Sequence, residues 1–218
     1  MNIGLPHLAA FWDNTVRKLP RSIALIYEGQ ALTYAEADEQ VARLAGWLAD
    51  VGGVGRGDRV TLALPNCPEF ILTYWATLRL GAVVAPVNTR LRADELQYVL
   101  RNCDAKVVFV HSQTEAAVRE GLAAAGLNPH VVLVGTESGG VASRVSAPRA
   151  TGPADVLREK SAGPVAHDAT PPDSHSFECI AAHARTRETA VIDPDDLAVI
   201  LHTSGTTGVP KGAMMRHS

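Results

Sequence analysis

Lysine is scarce in this chain of 218 residues, which contains four: Lys18, Lys106, Lys160 and Lys211. The net charge of −3 leaves no basic excess, so a nucleic-acid-binding protein is disfavoured. Of the four lysines, Lys18 ends a predicted helix, Lys106 precedes a predicted strand and Lys160 lies in a weakly hydrophobic stretch, so each is expected to be a solvated charge. Lys211 alone lies among glycines and hydroxyl residues, which is typical of a phosphate-binding loop.

Long apolar runs and paired cysteines are also missing. No run approaches the ~20 apolar residues that span a bilayer, so no transmembrane segment is expected. The first residues carry no basic region followed by an apolar core, so no secretory signal is expected either. Three widely spaced cysteines, Cys67, Cys103 and Cys179, predict reduced thiols in a cytoplasmic protein. Cys67 and Cys103 are expected to be core thiols.

The remaining composition, 46% hydrophobic and 20% charged, is that of a globular protein with a real core. Apolar runs alternate with segments of helical periodicity, and this predicts an α/β fold with a mainly parallel sheet flanked by helices. A β-hairpin near the N-terminus is predicted at 23–32, and Thr33 with Glu36 predicts a capping box at the start of a helix. Further strands are predicted at 60–64, 82–87, 107–110, 131–134 and 197–201, and helices at 8–19, 67–80, 94–101 and 115–125. Asn66 is predicted as the N-cap of the helix at 67–80.

Composition changes sharply after residue 134. Residues 135–176 are rich in small and polar residues and contain no aromatic side chain, so a flexible excursion of low hydrophobicity is predicted there. The predicted organisation is therefore an N-terminal α/β subdomain at 1–134, this excursion, and a further segment at 177–218. A short helix is predicted near Phe177 and Ile180, and the last segment ends in a hydroxyl-rich loop.

That loop follows the final apolar strand and has the sequence TSGTTGVPKG. Its four hydroxyl residues can donate hydrogen bonds to phosphate oxygens, and its glycines allow backbone N–H groups to curve around an anion. Lys211 adds a mobile positive charge. We therefore predict phosphate or cofactor binding by these residues: Thr203, Ser204, Gly205, Thr206, Thr207, Gly208, Lys211 and Gly212.

Two other interpretations of this stretch are a P-loop and an ordinary surface loop. The P-loop of nucleotide triphosphatases requires glycine before its lysine and Ser or Thr after it, whereas Pro210 and Gly212 flank Lys211 here. An ordinary surface loop would also contain Ser, Thr and Gly, but ten contiguous positions that match a phosphate-binding pattern directly behind a buried strand disfavour it.

With residues 196–200, this loop resembles the phosphate-binding motif of the adenylate-forming superfamily, the AMP-dependent synthetases and ligases. The similarity covers most of 6–134 and 177–218. It is greatest to acyl-CoA synthetases and fatty-acid–CoA ligases, and the chain resembles only the N-terminal part of these enzymes. Four further segments occur in the family's order: Leu32-Thr33-Tyr34, Gly57-Asp58-Arg59-Val60, Leu80-Gly81-Ala82-Val83 and Pro86-Val87-Asn88.

The resemblance implies a two-step reaction in which a carboxylate and ATP, with Mg²⁺ as counter-ion, form an acyl-adenylate and coenzyme A then displaces AMP. It implies that Lys211 is catalytic and stabilises the departing pyrophosphate, while no residue is assigned as a metal ligand. A fatty acid is the expected substrate, and an aryl acid or an amino acid is left open. The family's acyl pocket and C-terminal domain would lie beyond residue 218, so this chain alone is expected to be inactive. A non-catalytic remnant, or a nucleotide-binding module that needs a partner, is the alternative.

Four histidines raise further hypotheses. His175, Cys179 and His183 would share one face if they lay on a single helix, a weak indication of a zinc site. His217 resembles the histidine of the family's Thr-His pair, with Arg216 in place of threonine, and could equally be a frayed terminal residue. His202 occupies a position where the family often has tyrosine, and no role is assigned to it.

Overall fold

The computed structural model describes residues 7–91, 93–135, 174–184, 187–203 and 210–218. Its helices are α1 Leu8–Lys18, α2 Tyr34–Asp50, α3 Pro68–Arg79, α4 Ala93–Cys103, α5 Glu115–Ala125 and α6 Phe177–Ala181. Its strands are β1 Ile23–Tyr27, β2 Gln30–Thr33, β3 Arg59–Ala63, β4 Val83–Pro86, β5 Val107–His111, β6 His130–Val134, β7 Ser174–Ser176, β8 Leu197–Thr203 and β9 Lys211–Arg216.

A seven-stranded sheet in the order β7-β6-β5-β3-β4-β8-β9 forms the centre of the fold. All neighbouring pairs are parallel except β8 and β9, which are antiparallel. The strands β1 and β2 form a separate antiparallel hairpin. The α/β prediction with a mainly parallel sheet and an N-terminal hairpin is therefore confirmed.

Helices cover both faces of this sheet because side chains alternate along each strand. In β5, Val107 and Phe109 belong to one buried cluster, together with residues of α2 and α3. Val108 and Val110 belong to a second cluster, which contains residues of α4 and α5. β5 is thus apolar on both faces from Val107 to Val110, as expected of a central strand that is covered on both sides.

Local capping follows the predictions in one helix and departs from them in another. The Thr33 hydroxyl accepts a hydrogen bond from the Glu36 N–H, and the Glu36 carboxylate accepts from the Thr33 N–H, so the capping box is confirmed. The sequence also predicts Asn66 as the cap of α3, which is wrong. Cys67 is the N-cap, without a side-chain hydrogen bond, and Pro68 begins the helix because its missing N–H needs no partner there.

The last part of the chain joins the same sheet. β8 lies beside β4 and β9 forms the edge, so residues far apart in sequence share one buried cluster, as Trp12, Val84 and Val199 do. The sequence analysis missed both β7 and β9. The predicted flexible excursion spans 135–176. Its residues 136–173 lie outside the described residues, whereas 174–176 form β7. The division into 1–134, 135–176 and 177–218 stays a prediction.

Candidate functional site

The two ends of the predicted phosphate loop are held by an antiparallel strand pair. Thr203, the last residue of β8, lies opposite Lys211, the first residue of β9. Because β8 runs parallel to β4, these ends lie at the carboxyl edge of the parallel strands, where open α/β sheets bind ligands. Residues 204–209, and with them Ser204, Gly205, Thr206, Thr207 and Gly208, lie outside the described residues. Thr203, Lys211 and Gly212 are therefore the predicted site residues whose backbone is described.

Lys211 is exposed and makes no ion pair with any residue in the described ranges. By contrast, the Lys106 ammonium lies 2.8 Å from Asp58 Oδ2 and donates to the Gly53 carbonyl at 2.8 Å. The expectation that Lys106 is a merely solvated charge is thus wrong, whereas Lys18 is exposed at the end of α1 as expected. Lys160 lies outside the described residues. Among the described residues, no acidic side chain neutralises the charge of Lys211.

A groove of about 590 Å³ lies between α4 and the β8–β9 pair. Its lining combines apolar and polar groups from these elements: Tyr98, Asn102, Ile200, Pro210, Lys211, Gly212 and Met214. A smaller groove of about 360 Å³ lies at the amino ends of β5 and β6, beside Lys106 and His130, and none of the predicted site residues lines it. The larger groove is therefore the candidate site, since Lys211 and Gly212 belong to it.

His202 connects the strand pair to α4. Its Nε2 lies 3.0 Å from Asn102 Nδ2, and its Nδ1 is buried with no partner among the described residues. Burial lowers the pKa of the His202 imidazole, so the ring is held neutral. Sequence analysis gave His202 no role and did not single out Asn102, because 100 residues separate them and no local pattern links α4 to β8.

His217 is buried rather than frayed, with 2% of its surface exposed. Its ring packs edge-on against His7 at 6.0 Å between centroids, and neither ring nitrogen has a partner among the described residues. The backbone N–H of His217 donates to the Asp196 carbonyl at 3.0 Å and so continues the edge of the sheet. Burial, and secondarily the proximity of His7, lowers the pKa of His217, while Asp196 acts in the opposite direction.

The hypothesis that His175, Cys179 and His183 share one helical face is wrong. His175 lies in β7, Cys179 lies in the five-residue α6, and His183 follows that helix. His183 Nε2 instead lies 3.5 Å from Asp50 Oδ2, and His175 packs against Trp47. Within the described ranges, no three His, Cys, Asp or Glu side chains are grouped so that they could hold a metal ion.

The cysteines are all free thiols. Cys103 is buried and Cys67 is partly buried, and burial raises the pKa of Cys103 to about 11 and that of Cys67 to about 12. Cys179 is exposed. The prediction of core thiols is thus confirmed for Cys103 and holds in part for Cys67. None of the helices in the described part of the chain has the length and apolar character of a membrane span.

Comparison with known proteins identifies the class of protein to which this chain belongs. The sequence profile of the family described as AMP-binding enzyme matches residues 12–218, so the chain belongs to that family. The crotonobetaine/carnitine–CoA ligase of Proteus mirabilis is 29% identical over 220 residues, which are 99% of this chain and 37% of that ligase. The chain thus spans 37% of the length of this relative.

Solved structures share the fold. The benzoate CoA ligase of Burkholderia xenovorans aligns with a TM-score of 0.70 and 20% identity over 98% of this chain and 35% of its own. A fatty acyl CoA synthetase of Mycobacterium tuberculosis aligns with a TM-score of 0.65 and 22% identity over 97% and 35%. At these identities the likeness establishes the architecture, and the three named proteins act on different acids.

Proposed function

We propose that this chain carries the pyrophosphate-binding part of an AMP-forming acid–CoA ligase. The observation that carries the proposal is Lys211, an exposed lysine that lines the groove, has no ion pair among the described residues and lies opposite Thr203 at the carboxyl edge of the sheet. The family assignment and the TSGTTGVPKG sequence between these strands support it.

In the proposed reaction, an oxygen of the substrate carboxylate attacks the α-phosphorus of ATP, which is bound as its magnesium complex. The bond between that phosphorus and the bridging oxygen breaks, and pyrophosphate leaves with the electron pair. The thiol sulfur of coenzyme A then attacks the acyl carbonyl carbon, and AMP is displaced. Since the first step brings one anion to another, the loop must neutralise and position the phosphates.

We assign the phosphate contacts to the loop hydroxyls and N–H groups of Thr203, Ser204, Thr206 and Thr207. Gly205, Gly208 and Gly212 allow close approach of the backbone. Lys211 stabilises the β- and γ-phosphates and the departing pyrophosphate. For the acid we propose a fatty acid, with carnitine-like or aryl acids as the alternatives that the relatives' names suggest.

Direct binding to the 218-residue polypeptide tests this role without requiring turnover. Calorimetric titration with magnesium pyrophosphate should detect binding, and Lys211→Met should weaken it by roughly ten- to a hundredfold, since a charge-assisted hydrogen bond contributes about 1.5–3 kcal/mol. Lys18→Met is the matched control, because it removes an equal charge from the exposed end of α1. If Lys211→Met and Lys18→Met bind alike, the clamp role of Lys211 is wrong. The same polypeptide is expected to show no carboxylate-dependent exchange of pyrophosphate into ATP.

A further inference from the structure

The end of β8 that leads into the loop is paired in register with β9. With β4, the described register of β8 consists of one pair, Val84 with Val199. The ladder with β9 continues to Thr203, but β9 is itself the edge strand and all six of its residues are exposed. Among the described strands, none lies on the outer side of β9.

A side-chain hydrogen bond attaches the same end of β8 to helix α4. Asn102 lies in the last turn of α4, a helix that packs against the sheet through Val99 and Leu100. Its amide nitrogen lies 3.0 Å from Nε2 of His202, the residue directly before Thr203. An amide nitrogen is a donor, so with Nδ2 facing the ring Nε2 is the acceptor of this hydrogen bond, which corresponds to the neutral tautomer protonated at Nδ1.

Gly212 leaves the space in which this bond forms. It lies opposite His202 in register, and a Cβ added to it would come within 3.2 Å of His202 Nε2 and 3.2 Å of Ile200 Cγ2. The same Cβ would lie 3.6 Å from Asn102 Nδ2. Since Gly212 has no positive φ, close approach of the ring rather than backbone conformation is the reason that glycine fits here.

We infer that His202 and Asn102 are a positioning pair, which fixes the strand ends that carry the phosphate loop and thereby the location of Lys211. This inference rests on the proposed phosphate-binding function and adds two residues to it. Neither side chain needs to touch the phosphates. Their hydrogen bond joins β8, the strand that leads into the loop, to helix α4, which packs on one face of the sheet.

A double-mutant cycle on magnesium pyrophosphate affinity tests the pair. His202→Phe keeps a ring over Gly212 and removes its nitrogens, and Asn102→Leu removes the donor at similar volume. Each should weaken binding roughly three- to tenfold, as expected for one hydrogen bond, and the double variant should be no weaker than either single variant. His202→Gln, which keeps a polar group near the position of Nε2, should recover most of the affinity. Gln97→Leu removes a different side-chain hydrogen bond of α4, from Gln97 Nε2 to the Ala124 carbonyl outside the groove, and should bind like wild type.

Two spectroscopic readouts accompany the cycle. In the wild type, the ¹⁵N spectrum of the imidazole should show Nε2 unprotonated and hydrogen-bonded, and Asn102→Leu should shift that resonance. Amide hydrogen exchange at Leu201–Thr203 should accelerate in both single variants. If losses of affinity are additive, or if His202→Phe binds like wild type, the positioning role is wrong while the phosphate site stands. If wild type itself does not bind pyrophosphate, the proposed function fails and the positioning role fails with it.

Discussion

Replacing Arg79 by methionine should destabilise the fold, because Arg79 joins three helices through a mostly buried ion pair. Its side chain is 7% exposed and lies 3.2 Å from Asp13 Oδ1 in α1, and it also pairs with Asp38 Oδ1 in α2. Asp38 accepts a further hydrogen bond, at 2.7 Å, from Trp12 Nε1. The Arg79 carbonyl accepts from Ala190 N–H at 2.8 Å, so this residue also holds the segment that leads into β8.

The solvent exposure of the carboxylates that pair with Arg79 determines how much stability is lost. Removing one member of a fully buried pair costs about 3–5 kcal/mol, because a charge is left without compensation. An exposed pair contributes about 0.2–1 kcal/mol. Here the carboxylates of Asp13 and Asp38 are 35% and 27% exposed, so water can partly rehydrate them once Arg79 is gone. We therefore expect a loss between these limits, about 2–3 kcal/mol, and a Tm lower by roughly 5–10 °C for a chain of this size.

Urea unfolding followed by tryptophan fluorescence measures this loss, since Trp12 stacks on Trp75 with 4.9 Å between ring centroids, next to the ion pair. Arg43→Met is the matched control. Its salt bridge to Glu39 is an i,i+4 pair on α2 with side chains 36% and 63% exposed, so about 0.3–0.5 kcal/mol is expected. If Arg79→Met and Arg43→Met lower the free energy of unfolding equally, the description of Arg79 as the tie between α1, α2 and α3 is refuted.

Three other predictions concern packing, pH and thiol chemistry. Gly52→Ala should lower the free energy of unfolding by roughly 1–3 kcal/mol in urea, because its Cβ would lie 2.8 Å from the Leu48 carbonyl oxygen and 2.9 Å from Val107 Cγ2. Gly55→Ala, whose nearest contact would be 3.7 Å away, should be nearly neutral, and equal losses would contradict the close approach at Gly52. Because the pKa of His217 is lowered in the folded state, its contribution to stability is present above 6.5, its ordinary value, and is lost as pH falls from there through the lowered folded pKa. Between pH 8 and pH 5, the free energy of unfolding should therefore fall more steeply in wild type than in His217→Phe. Parallel curves for the two proteins would exclude His217 as the source of this pH dependence. A thiol reagent at pH 8 should modify Cys179 in the native protein and reach Cys67 and Cys103 only after unfolding, since burial raises their pKa values to about 12 and about 11; rapid native labelling of Cys103 would show that it is not buried.

Elements with a strong local pattern were predictable from the sequence. The capping box at Thr33, the apolar runs of β3 to β6 and the helix Glu115–Ala125 follow from side-chain chemistry within a few residues of one another. The loop composition around Lys211 likewise predicts phosphate chemistry, because the residues that suggest it are adjacent in the chain.

Strands whose formation depends on pairing with a neighbouring strand were not predicted from the sequence. β7 is three residues long and pairs with β6, and β9 is an exposed edge strand that depends on β8, so neither has an apolar pattern of its own. The proposed zinc set failed for the same reason. Helical spacing was assumed for His175, Cys179 and His183, whereas pairing with β6 makes the first of these a strand residue.

The sequence thus predicts the phosphate chemistry, most of the order of helices and strands and the two-faced burial of the sheet, because these depend on local propensity and periodicity. Which residues meet across the fold depends on the three-dimensional arrangement. The contact of Asn102 with His202, the burial of His217 against His7 and the tie of Arg79 to Asp13 all join residues that are distant in sequence. The first contact arises because β8 lies beside β4 and lines one groove with α4, and the other two likewise depend on which elements meet, which no local pattern encodes.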